Sequence, residues 1–200
     1  MLATRVLTAV VLIPVVVLPL WRGGFLFVLL VAIAAALALR EFYGLMRAGG
    51  VQPATLLGSL GLALMLIGAG VPDQRVQNAA VVVLVLGGLL WALADPTPEG
   101  KLAGWALTAA GAFYVGWPLA HAVELRALPN GFGWLVVTLV ATWATDTGAY
   151  FAGRFFGRHP FSPRYSPKKT WEGVAGGWLL GLLVTVALAY WLLDLPLGRG

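Results

Sequence analysis

The sequence predicts an all-α polytopic membrane protein with about seven transmembrane helices in this chain. Three observations point there. Of the 200 residues, 60% are hydrophobic and only 10% charged, with a mean hydropathy of +0.88. A soluble domain carries about 25% charged residues, so this chain cannot cover an aqueous surface of ordinary size. Apolar runs recur at close to the roughly 20 residues that a helix needs to cross a hydrocarbon core about 30 Å thick. The even alternation of a lipid-embedded barrel is missing, which leaves helices as the segments able to satisfy their own backbone in lipid.

In the first run, residues 4–21, Arg5 precedes the apolar stretch 6–20, and no small-x-small cleavage site comes after it. It reads as a retained first span and not as a removed signal peptide, with a signal anchor as the alternative reading. Trp21-Arg22-Gly23-Gly24 turns the chain into the second run, 24–39. Gly49-Gly50 leads to the third, 54–71, and Pro72-Asp73 to the fourth, 76–94. Asp95-Pro96-Thr97-Pro98 precedes the fifth, 102–123, and Pro129-Asn130-Gly131 the sixth, 133–152. The seventh, 174–193, is entered through Gly173, which recurs as Gly177 and Gly181 on one helix face. Small residues at that spacing mark close helix packing, either inside the chain or against a second copy in a homodimer. No internal repeat is evident and no soluble domain is long enough to fold alone. Residues 1–200 therefore read as one transmembrane domain with a basic loop over 153–173.

The charge distribution says more than the net charge of +5. Five of the 13 basic residues fall between Arg154 and Lys169. With the N-terminus inside, the cytoplasmic segments hold nine Lys and Arg: Arg5, Arg40, Arg47, Lys101, Arg154, Arg158, Arg164, Lys168 and Lys169. The opposite side holds four: Arg22, Arg75, Arg126 and Arg199. That excess orients the 153–173 loop toward the cytoplasm. The absence of cysteine excludes disulfides, thiolate catalysis and cysteine-based zinc sites.

Two features carry chemistry. Asp146 lies within the sixth run, surrounded by Thr142, Thr145 and Thr147. A carboxylate at membrane depth costs about 2.5–3.5 kcal/mol on insertion scales, so it is expected to face a cavity or a partner. The structural alternative is a pair with a loop arginine; the functional one is a magnesium ligand, since Mg²⁺ takes one or two carboxylates plus substrate phosphates. Downstream, Ser166-Pro167 reads as a helix start, with serine as N-cap and proline at the first helical position. Lys168, Lys169 and Thr170 are then expected in the first turn, where free N–H groups, the helix dipole and two ammonium groups suit a polyphosphate. The bland alternative is a positive-inside loop touching anionic headgroups. An acid able to hold a metal about 20 residues before a phosphate-binding segment makes the two halves of a metal-assisted phosphoryl-transfer site.

The run Asp146-Thr-Gly-Ala-Tyr-Phe-Ala-Gly-Arg154, then Phe156-Gly-Arg158, then Ser166-Pro-Lys-Lys-Thr-Trp-Glu-Gly173 resembles the phosphatidate cytidylyltransferase family in order and spacing. Arg40-Glu-Phe-Tyr43 is a weaker likeness and reads as an interfacial anchor closing the second span. The resemblance implies transfer of CMP from CTP to phosphatidic acid with Mg²⁺, giving CDP-diacylglycerol and pyrophosphate in phospholipid biosynthesis. It implies Asp146, Lys168 and Lys169 as catalytic residues, with Asp146 at the metal. Ser166, Thr170, Glu172, Arg154 and Arg158 would bind substrate: Arg154 and Arg158 at the phosphatidate headgroup, Glu172 supporting the loop. CTP, phosphatidic acid and membrane lipid are the expected partners, nucleic acid is not, and a bacterial inner membrane with a cytoplasmic site is the expected location. The family's second signature, a Lys-Asp pair, His-Gly-Gly and Asp-Arg-x-Asp, is not found in these residues; His121 and His159 lie in the wrong contexts to replace it. The expectation is the N-terminal portion of a longer enzyme, or a truncated product inactive alone. A CTP-dependent lipid-alcohol kinase and a transporter-like bundle are the alternative readings.

Overall fold

The structure, a computed structural model, describes residues 13–71, 73–94 and 100–193. Each of the seven predicted runs overlaps a helix: Ile13–Arg22 (α1), Gly24–Ala48 (α2), Thr55–Ala69 (α3), Gln74–Leu93 (α4), Lys101–Ala127 (α5), Gly131–Phe156 (α6) and Trp171–Leu193 (α7). The first run is met only in part, because residues 4–12 with Arg5 lie outside the described residues, as do Pro72, Asp95 to Pro98 and 194–200 with Arg199. Gly24–Ala48, Gln74–Leu93 and Trp171–Leu193 are long and apolar enough to cross a membrane. Ile13–Arg22 and Thr55–Ala69 are shorter apolar helices. The chain is built as a helical membrane protein.

Three helices run past their predicted ends, α5 by four residues to Ala127. α2 continues nine residues to Ala48, so Arg40-Glu-Phe-Tyr43 sits inside it rather than closing it. α6 continues to Phe156, so the connector to α7 starts at Gly157 and not at Gly153. Polar residues do not end a helix by themselves; long basic side chains extend from it toward water.

The chain divides into two compact units, residues 1–128 and 129–200. In the first, α2 through α5 pack around Ala35, Tyr43, Leu84 and Ala112, all fully or nearly fully buried. A polar knot ties three helices there. The Tyr43 hydroxyl donates to the Thr108 carbonyl (2.8 Å), and the Thr108 hydroxyl accepts from the Ala54 amide (2.8 Å) while donating to the Gly104 carbonyl (2.6 Å). Every buried polar atom in the knot thus has its partner, which a low-dielectric interior demands. α4 widens to a π-turn over Val83–Gly87, where the Trp105 indole N–H donates to the Leu84 carbonyl at 3.0 Å. Arg126 donates to the carbonyls of Leu20 (3.0 Å) and Trp21 (2.9 Å), closing the C-terminal end of α1.

The second unit is α6 laid along α7, joined by a two-stranded antiparallel hairpin of Pro160–Ser162 (β1) and Ser166–Thr170 (β2). The expected glycine face of α7 is buried against α6 of the same chain. A Cβ placed on Gly177 would stand 2.9 Å from the Thr145 carbonyl oxygen, and one on Gly173 would stand 2.9 Å from that of Ala149. These are backbone-to-backbone approaches, which side chains cannot relieve by rotating. Gly177→Leu is expected to lower stability by about 1–3 kcal/mol through overpacking. Thermal unfolding of purified protein in detergent checks this, with Ala175→Leu on the exposed face as the neutral comparison.

Candidate active site

The site begins with the hairpin, because it decides where the lysines go. Ser166 does not cap a helix. Ser166–Thr170 is a strand, pairing Ser166 with Ser162 and Thr170 with Pro160, and the helix begins at Trp171. Lys168 and Lys169 therefore stand on an extended segment and not in a first helical turn. The physical reason lies in the prolines: Pro160, Pro163 and Pro167 each push the preceding residue toward extended backbone. Serine before proline has the same local geometry in a strand as at an N-cap. The cap falls instead to Thr170, whose hydroxyl accepts from the Gly173 amide at 3.2 Å.

Four contacts lock the hairpin to the start of α7. The Trp171 amide donates to the His159 carbonyl at 3.0 Å. Glu172 Oε1 lies 2.6 Å from His159 Nδ1, and Glu172 Oε2 accepts from the His159 amide at 3.3 Å. The Phe161 and Trp171 rings meet edge to face with centroids 4.7 Å apart. Glu172 thus bridges the two ends of the connector. His159 is its counterpart, a role the sequence alone did not show.

Between α6, the hairpin and α7 lies an open cavity of about 740 Å³. Asp146, Arg154, Lys168, Lys169 and Thr170 all line it. Tyr150 and Trp178 contribute aromatic walls, and Gly173 and Gly177 form the floor where the helices touch. Arg154 is held by its own helix: its Nη1 donates to the Tyr150 hydroxyl at 2.7 Å, four residues back. That i to i+4 spacing was readable in the sequence, as was the position of Trp178 one residue after Gly177. Asp146 makes no hydrogen bond or ion pair among the described residues, so the alternative of a structural pair with a loop arginine is not what forms. Ser166 and Arg158 do not line the cavity; Ser166 is half-buried in the hairpin and Arg158 is exposed.

Three cations and one carboxylate leave the cavity net positive, which suits a polyanion. The single carboxylate, Asp146, also fits Mg²⁺, which binds through one or two carboxylates and completes its shell with substrate phosphates and water. No group of three or more acidic or histidine residues able to cage a metal occurs among the described residues. Any Mg²⁺ here would be shared with substrate.

A model described as the cytidylyltransferase family matches residues 3–197. The chain belongs to the cytidylyltransferase family. Among curated relatives, the phosphatidate cytidylyltransferase of Brucella suis biovar 1 (strain 1330) is 33% identical over 178 residues, covering 88% of this chain and 63% of the relative. That of Brucella melitensis biotype 1 gives the same values. The phosphatidate cytidylyltransferase of Staphylococcus aureus (strain COL) is 28% identical over 189 residues, covering 93% of this chain and 71% of the relative. This cytidylyltransferase-family chain thus spans 63% of the length of the Brucella relatives it matches.

The cap provides a test of how the site is held. Thr170→Val removes the hydroxyl at the start of α7 and is expected to cost about 1 kcal/mol, whereas Thr170→Ser keeps it. Denaturant or thermal unfolding of the two variants in the same detergent checks the difference.

Proposed function

We propose that this chain forms the nucleotide- and lipid-phosphate-binding part of a phosphatidate cytidylyltransferase. The observation that carries the reading is the convergence of Asp146, Arg154, Lys168, Lys169 and Thr170 on one cavity, in a chain of the cytidylyltransferase family. The names of the Brucella and Staphylococcus relatives supply the substrate class.

In the proposed reaction an oxygen of the phosphatidate phosphate forms a bond to the α-phosphorus of CTP. The bond from that phosphorus to the bridging α–β oxygen breaks, and pyrophosphate leaves with its electron pair. CDP-diacylglycerol is the other product. Such a displacement asks for alignment and charge neutralisation and for little covalent work by the protein. Lys168 and Lys169 neutralise the nucleotide phosphates, Thr170 donates from its hydroxyl, and Arg154, fixed by Tyr150, meets the lipid phosphate. Asp146 would hold Mg²⁺, which when bound supplies further neutralisation of phosphate charge. Glu172 acts through His159 to keep the hairpin over the cavity. Ser166 and Arg158, set back from the cavity, are assigned no contact with the reacting phosphates.

The same reading places about seven crossings in a bacterial inner membrane with the hairpin on the cytoplasmic side, where the basic residues accumulate and CTP is found.

In membranes containing the full-length protein, Asp146→Asn and Lys168→Ala are each expected to lower Mg²⁺-dependent incorporation of labelled CTP into lipid by about 10²–10³-fold, the size of a lost electrostatic stabilisation. Pyrophosphate is the expected co-product; CDP in its place would support a lipid-alcohol kinase. Wild-type rates in both variants would remove these residues from the site.

A further inference from the structure

Within the first unit, α2 and α3 are joined by the connector 49–54 and leave between them a groove of about 400 Å³. That volume is within the roughly 300–1,000 Å³ of small-ligand pockets. The groove is amphipathic along its length. At the connector end its lining includes Arg47, Thr55 and Ser59, with Arg40 about two turns further along α2; beyond Arg40 the lining is apolar, with Ala32, Ala36, Ala63 and Leu66. The alanines are the reason the groove exists, since larger side chains at those positions would fill it. Arg40 and Arg47 are seven residues apart, about two turns, and so share one helix face. Arg47 donates to the Thr55 hydroxyl at 3.3 Å, while Arg40 makes no hydrogen bond or ion pair among the described residues. No acidic residue lines the groove.

We propose that this groove binds an anionic glycerophospholipid, with its phosphate at Arg40 and Arg47 and one acyl chain along the alanine-lined end. Charge complementarity selects the headgroup: two guanidiniums with no compensating acid, flanked by hydroxyls that can donate to phosphate oxygens. The apolar extension selects a lipid over a free anion, because inorganic phosphate would leave it empty. The site is lined by residues separate from those of the proposed reaction and does not depend on that reading.

Native mass spectrometry of the delipidated full chain in detergent provides the test, with dioleoyl-phosphatidylglycerol, dioleoyl-phosphatidylcholine and inorganic phosphate as probes. Phosphatidylglycerol is expected to be retained more strongly than phosphatidylcholine. R40Q/R47Q should weaken its retention by about ten- to thirtyfold, on the basis of about 1 kcal/mol per basic residue near an anionic lipid. R40K/R47K keeps the charges and should retain most of the binding, which separates a headgroup contact from a damaged fold. A63F, which fills the apolar end from an exposed position, should also displace the lipid. Equal retention of both lipids, unchanged binding in R40Q/R47Q, or loss in R40K/R47K as complete as in R40Q/R47Q would overturn the proposal. Phosphate binding abolished by R40Q/R47Q but lipid retention untouched by A63F would show an anion site without an acyl groove, and would overturn it as well.

Discussion

The backbone of α7 lies directly against the backbone of α6, and the site rests on that contact. Gly173 and Gly177 present no side chain to the carbonyls of Ala149 and Thr145, so the helices close to a distance that no Cβ would permit. In lipid there is no hydrophobic gain from bringing two apolar helices together; van der Waals contact between small residues takes its place. The same approach forms the floor of the cavity and fixes Asp146, one residue beyond Thr145, relative to the start of α7. A helix pair spaced by leucines would leave the carboxylate and the lysines on separate surfaces.

The hairpin converts that fixed spacing into a binding surface. Extended backbone at 166–170 carries Lys168 and Lys169 over the cavity, and the Thr170 cap, the Glu172–His159 contact and the Phe161–Trp171 pair tie both ends of it to α7. Exposed lysines on a free loop would lose conformational entropy on meeting a polyphosphate. Lysines on an anchored strand have less to lose. Arg154 is treated in the same way by its own helix, through Tyr150.

Much of this was legible in the sequence, and the exceptions have physical reasons. Helix positions followed from apolar length, because lipid allows few other solutions. The Gly173, Gly177 and Gly181 face followed from its spacing, and the structure shows that α6 of the same chain occupies it. Asp146 and the lysines stood out because charges are rare in such a composition. The state of 166–170 is not legible in the sequence, since serine before proline suits both an N-cap and a strand, and only the pairing with Pro160–Ser162 decides between them. Helix ends at Ala48 and Phe156 were placed too early because hydropathy registers where a run ceases to be apolar, whereas the backbone stays helical past that point. His159 was invisible as a partner of Glu172, since they stand 13 positions apart and only the hairpin between them brings them together.

The central claim, that α6 and α7 jointly face one ligand-holding cavity, can be measured without touching its charged residues. The chain has no cysteine, so single cysteines report alone. Ala149→Cys on α6 and Val174→Cys on α7 both line the cavity. Labelling of each by a small water-soluble maleimide, with and without Mg²⁺ and CTP, is the direct measurement. The account predicts that Mg²⁺ and CTP together slow labelling at both positions. Protection at neither, or at one with the other unchanged, would contradict it.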